Sequence, residues 1–279
     1  MPKNKVDFFV VGAQRCGTTF LCDALARLDP VEFSSIKEPF FFTQADDWRE
    51  EIEDYHNLFC FEEGILNGEG STRYTMIPKY KPVYEDIYDY NPSAKIIYAI
   101  RNPVERAISL FTYYSGGKKS RVSFEESFEK NIEYICAGMY YRQIYPYLEN
   151  FGKDNVCILT FDDLINNTLD TIEEIADFIG VEDVSVDIQS EKKNSSEGNY
   201  VPTHSFSESL YRLYGKVGIH QHVPDSIVHV LKRYLIQTSQ RPEISPSLRI
   251  KISGFFEDDI RRIESLLDQN LDHWRSPPR

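Results

Sequence analysis

The stretch DFFVVGAQRCGTTFLCDALARL, residues 7–28, carries the reading of the fold. Asp7 to Gly12 is a short apolar run ending in glycine, the pattern of a buried strand that feeds a turn. From Thr18 to Leu28 the leucines at 21, 25 and 28 fall at helical spacing, so strand, glycine-bearing loop and helix follow one another directly. The same order returns twice. Lys95 to Arg101 (KIIYAIR) precedes a helical pattern from Val104 to Tyr114, with Pro103 suited to the first helical position. Val156 to Phe161 (VCILTF) precedes another from Thr168 to Ile179, and Val31 to Ser34 reads as a further strand. Alternating strands and helices imply the α/β class, a mostly parallel sheet with helices on both faces.

Outward from these elements, residues 123–151 read as two helices broken near Gly138. The stretch from Glu182 to Pro202 is polar and reads as a long loop, 203–254 as irregular with some helix, and Phe255 to Leu271 as a closing amphipathic helix with Phe256, Ile260, Ile263 and Leu267 on one stripe. A chain of 279 residues fits one α/β domain with insertions, so 1–279 is expected to be a single domain whose loop-rich part, 182–254, is a candidate binding region. Hydrophobic residues at 41% and charged residues at 27% exclude a disordered or low-complexity chain. No apolar run approaches the roughly 18 residues of a transmembrane segment, and the first residues lack a signal-peptide pattern, so a cytoplasmic protein is expected. Five cysteines without CxxC spacing suggest reduced thiols rather than a zinc site. A net charge of −13 argues against nucleic acid as a partner, since displacing counterions from phosphate takes a basic face. An anionic ligand must therefore be held by a local basic site.

Gly12 to Thr19 is such a site in outline. Where a buried strand meets a helix N-terminus, unpaired amides and the positive end of the helix dipole converge, which suits phosphate. Gly17 permits close backbone approach, and Thr18 and Thr19 offer hydroxyls. The GxxxxG spacing makes the sheet P-loop-like, but Thr18 stands where a Walker A loop requires lysine, which disfavours an ATP-dependent P-loop phosphotransferase. Alone, the loop could also be a plain glycine turn capped by threonine. Arg15 inside it changes the balance, and VVGAQRCGTTFL (residues 10–21) resembles the 5′-phosphosulfate-binding loop of the sulfotransferases that use 3′-phosphoadenosine 5′-phosphosulfate (PAPS).

A second element follows KIIYAIR. Arg101 closes the strand and Ser109 lies two turns into the next helix, so a charged donor and a hydroxyl could clamp a second phosphate; alone, Arg101 could equally be a surface charge. The string RNPVERAIS (residues 101–109) resembles the family's 3′-phosphate element, often RDPVERAIS, with Asn102 in place of Asp. That replacement should alter local hydrogen bonding more than ligand contact. KEPFFF (residues 37–42) sets a charged pair before three aromatics, which draws Glu38 partly out of water and suits a general base; its plain alternative is a surface pair beside a core cluster. It resembles the KExxFF stretch of the glycosaminoglycan branch, whose matching glutamate is the catalytic base.

What the resemblance implies is transfer of a sulfuryl group from PAPS to an acceptor hydroxyl or amine, with Glu38 as base and adenosine 3′,5′-bisphosphate (PAP) as product, and no metal. Arg15, Cys16, Gly17, Thr18 and Thr19 would hold the 5′ end, Arg101 and Ser109 the 3′ end, and Arg15 would stabilise the bridging oxygen. Tyr140, in a stretch like the family's GxY helix, would line the cofactor pocket or simply fill the core. Lys193 lies where members place a loop over the cofactor. Residues 68–74 (GEGSTRY) resemble the EKxPxYF element, with Gly70 at the position of its catalytic lysine and Thr72 at that of its proline. Basic clusters at Lys118, Lys119 and Arg121 and at Lys232 and Arg233 are thin for a heparin-like chain, so the acceptor expected is a less charged saccharide, a glycolipid or a small metabolite, in a bacterial cytoplasm. The rivals are the ATP-dependent phosphotransferase and a non-catalytic nucleotide-binding protein.

Overall fold

Phe8, Phe9, Val10 and Val11 are all buried, because β1 (Phe8–Gly12) is the middle strand of five and is covered on both faces. The computed structural model describes residues 4–115, 122–181 and 242–275. Within them β2 (Val31–Phe33), β3 (Leu66–Gly70), β4 (Lys95–Ile100) and β5 (Val156–Thr160) join β1 in the order β2-β3-β1-β4-β5, every pairing parallel. The chain leaves β1 leftward through α1 (Thr18–Leu25) and returns from β3 rightward through α4 (Tyr84–Tyr90), after the short helices α2 (Phe41–Gln44) and α3 (Ile52–His56). Right-handed crossovers in opposite directions place α1 and α4 on opposite faces. On the α4 side lies α8 (Tyr140–Phe151), and α10 (Thr168–Ile179) packs on α1. The expected P-loop-like α/β sheet is thus present.

β3 was not foreseen, and its residues explain why. LNGEG has no apolar alternation, yet Gly68 is required: a Cβ there would lie 2.2 Å from the Phe8 ring. Residues 123–151 form three helices rather than two, α6 (Phe124–Lys130), α7 (Glu133–Cys136) and α8, the extra break falling where Asn131 Oδ1 accepts from Glu133 N at 2.9 Å. Phe161 begins a helix, α9 (Phe161–Asn166), instead of ending β5, because the Thr160 hydroxyl caps it from Asp163 N at 3.0 Å. The loop expected over 182–202, and residues 203–241 of the stretch expected to be irregular with some helix, lie outside the described residues. The remainder of that region is more regular than expected, with α11 (Pro246–Gly254) capped by Ser245 and followed by α12 (Glu257–Leu267). α11 docks on α5 (Pro103–Tyr114) through Arg249 and Glu105, 2.6 Å apart. All five cysteines are free, and among the described residues no helix is long and apolar enough to cross a membrane.

Candidate active site

The parallel strands deliver five loops to one edge of the sheet, in the order of the strands: 34–40 after β2, 71–75 after β3, 13–17 after β1, 101–102 after β4, and Phe161 after β5. The chain departs from the middle strands in opposite directions, so a crevice opens at this edge between β1 and β4, the usual ligand position in open α/β sheets. Ala13 N donates to Ala99 O at 2.7 Å, fixing the first loop against the end of β4.

Both expected phosphate elements meet in this crevice. Arg15, in the left-handed region at φ 70°, sends Nε to Ser109 Oγ at 3.1 Å across 94 residues of sequence, and its guanidinium lies 4.8 Å from the Tyr113 ring centroid. Arg101 stacks 4.4 Å from the Phe161 ring. Phe161 also backs the first loop: a Cβ on Gly17, whose φ is 84°, would sit 2.8 Å from that ring. Arg106 is fully buried, donates to the Tyr134 carbonyl, and leaves Nε and Nη1 without partners. Burial pulls Arg15 below the usual arginine range, helped by the charge of Arg101, and burial does the same to Arg101. Both nonetheless stay protonated, so the crevice concentrates positive charge among the described residues without a carboxylate ion-paired to Arg15, Arg101 or Arg106.

The loop's other residues divide. Thr18 and Thr19 open α1, whose first-turn amides have no intrahelical acceptor. Cys16 turns inward: its N–H donates to Ala13 O at 3.1 Å, and its thiol, pushed by burial up to about 11, meets the Tyr140 hydroxyl at 3.7 Å. Tyr140 is itself buried, edge-on to Tyr98 and Trp274, so it supports the loop from behind. Asn102 caps α5, accepting from Val104 N and Glu105 N at 3.0 and 3.2 Å, while its Nδ2 donates to Trp274 O at 3.2 Å. An aspartate could not make that last bond, so the departure from RDP ties the edge to the C-terminal segment.

Glu38 lies at the left of the same edge. Its Oε1 accepts from Thr72 Oγ1 at 2.8 Å, and both Glu38 and Phe40 adopt left-handed backbone, at φ 50° and 54°. Ser71 Oγ accepts from Phe40 N at 3.1 Å and Tyr74 OH from Phe42 N at 3.3 Å, so the turn carrying Glu38 is fastened to residues 71–74. Beneath it Glu69, wholly buried, accepts from the Tyr55 hydroxyl, and burial pushes its carboxyl above the usual range. Thr72, read as a departure from the proline of EKxPxYF, thus holds Glu38. Lys37 reaches the other way, with Nζ 3.3 Å from Thr19 Oγ1. Lys193, and the clusters at 118–121 and 232–233, lie outside the described residues. Sequence reasoning passed over Phe161, Arg106 and Lys37 as site residues; only Lys37 carried a visible signal, its place beside Glu38.

Three comparisons bear on this edge. The model of the family described as "Sulfotransferase domain" matches residues 5–207. Mouse carbohydrate sulfotransferase 15 is 24% identical over 243 residues, covering 62% of this chain and 43% of its own, and human heparan sulfate glucosamine 3-O-sulfotransferase 5 is 25% identical over 185 residues, covering 62% and 52%. The chain thus spans about half the length of the curated relatives it matches. A sulfotransferase structure from Alicyclobacillus acidocaldarius shares the fold at a TM-score of 0.69 and 24% identity, covering 97% of this chain and 99% of that one. With the family model spanning both phosphate elements and the turn that bears Glu38, the chain belongs to the sulfotransferase family.

Proposed function

We propose that this chain transfers a sulfuryl group from PAPS to a hydroxyl or amine of an acceptor, releasing PAP. The observation that carries the reading is the Arg15 to Ser109 hydrogen bond, which brings the 5′- and 3′-type elements into one cationic crevice. ATP would call on the first element only, and Thr18 stands where its lysine contact belongs. The orphaned guanidinium nitrogens of buried Arg106 also suit a multiply charged anion nearby. PAPS would supply the sulfuryl group on a 5′-phosphate leaving group.

The chain's own residues would do the rest. Arg15 and the α1 N-terminus hold the 5′ end, Arg101 and Ser109 the 3′ end, and Phe161 walls the space between. Glu38, aimed by Thr72, takes the acceptor proton as the new bond to sulfur forms and the bond to the 5′-phosphate oxygen breaks with its electron pair left on that oxygen. The names of the matched relatives favour a saccharide acceptor, and free thiols favour a reducing, cytoplasmic setting.

The test is thermal unfolding with PAP, with ADP and magnesium, and without ligand. A ligand at 100 times its Kd adds about 2.7 kcal/mol, roughly 5 to 10 °C for a protein this size. A rise with PAP alone is the expected result; a rise with ADP alone would sink the reading in favour of a phosphotransferase.

A further inference from the structure

We infer that Lys37 is the cation at the sulfuryl end of the donor site, replacing the lysine that position 70 lacks. The inference rests on the PAPS reading above and adds a residue to it.

Two observations leave that end in need of a charge. A side chain at position 70 would have to displace the Cys22 thiol on α1, because a Cβ on Gly70 would lie 2.7 Å from its Sγ. Of the arginines in the crevice, Arg15, which would hold the 5′-phosphate, donates to Ser109 and lies over Tyr113, Arg101 lies over Phe161, and Arg106 donates to the Tyr134 carbonyl, so these contacts are with α5, α7 and the end of β5 rather than with the turn that bears Glu38. A third observation names the replacement. Lys37 projects from the β2 loop over the mouth of α1, its Nζ 3.3 Å from Thr19 Oγ1, one residue from Glu38. The ammonium is therefore at the first turn of the helix whose N-terminus would receive the 5′-phosphosulfate, on the residue next to the proposed base. A compact point charge with three donors on a flexible stem suits the spread of charge over sulfuryl and bridging oxygens. As the acceptor oxygen bonds to sulfur and the sulfur to 5′-phosphate oxygen bond breaks, the electron pair stays on that phosphate oxygen and the acceptor proton passes to Glu38. Lys37 keeps its protons and acts through its charge.

The test needs no acceptor. PAP and PAPS differ by the sulfuryl group alone, so isothermal titration of both into wild type, Lys37→Met and Lys37→Arg isolates its contacts. Lys37 is exposed, so neither substitution disturbs packing. The expected result is PAP affinity within twofold in all three proteins, PAPS affinity about tenfold weaker in Lys37→Met, and most of that loss restored in Lys37→Arg. Unchanged PAPS affinity in Lys37→Met, or an equal loss for PAP and PAPS, would overturn the role of Lys37 while leaving the nucleotide site standing. Wild type that binds neither nucleotide would overturn the PAPS reading itself, and this inference with it.

Discussion

The two halves of the sheet's carboxyl edge are built differently. On the right, behind β1, β4 and β5, Arg15, Ser109, Arg101 and Phe161 contact one another or pack against the loops of their neighbours, and most of their surface is covered. On the left, behind β2 and β3, Ile36 is 54% exposed, Lys37 is exposed, and among the described residues Thr72 is what holds the Glu38 carboxylate. On the proposed function, a donor nucleotide would meet turns already packed on the sheet, whereas the left half would stay open to a variable partner. Binding energy is lost when a site must be ordered on binding. The right half would avoid that loss, and the left half would leave space for an acceptor to complete it.

The comparison breaks most visibly at Glu38. Glu38→Gln keeps the shape and removes the base, so sulfate transfer from PAPS should fall about 100- to 10,000-fold, while PAP affinity, set by the right half, stays within twofold of wild type. A variant that loses PAP binding would show that the halves are not separate. Next comes Arg106, a buried cation with two nitrogens unpartnered. Replacing a buried charge by an apolar side chain of similar size is often stabilising, by about 1 to 4 kcal/mol. Arg106→Met should therefore raise the unfolding midpoint of the ligand-free protein and weaken PAP binding. A lowered midpoint would mean that the bond to the Tyr134 carbonyl outweighs the desolvated charge.

A smaller effect is expected under the left half, at Glu69. Burial raises its folded-state pKa, so the stability it contributes is full below the ordinary glutamate value and is lost as pH rises through the folded one. Glu69→Gln does not titrate. The midpoint difference between variant and wild type should grow in the variant's favour from pH 4.5 to pH 8, and a flat difference would place the carboxylate in water. Smallest is Asn102→Asp, which removes the donor to Trp274 O and should cost about 1 kcal/mol of stability, read by urea titration, with PAP affinity unchanged.

Legibility followed the same physics. β1, β4 and β5 were plain because strands of a parallel sheet covered on both faces are apolar throughout. β3 escaped because its inner positions are glycines fitted to Phe8 and Cys22 and a buried glutamate held by tyrosines, none of which resembles a strand. The two proposed phosphate elements stood out because close backbone approach demands glycine and anions demand arginine or a hydroxyl.

By itself the amino-acid sequence determined the α/β class, which depends on local periodicity, and it singled out two candidate anion elements from backbone freedom and side-chain type, with the KExxFF resemblance adding Glu38 as a candidate base. Tertiary structure alone decided that Arg15 bonds Ser109, that Thr72 aims Glu38, that Asn102 reaches Trp274 and that Lys37 reaches Thr19. Those pairs lie 94, 34, 172 and 18 residues apart, and strand order, which no local pattern encodes, is what brings them to one edge.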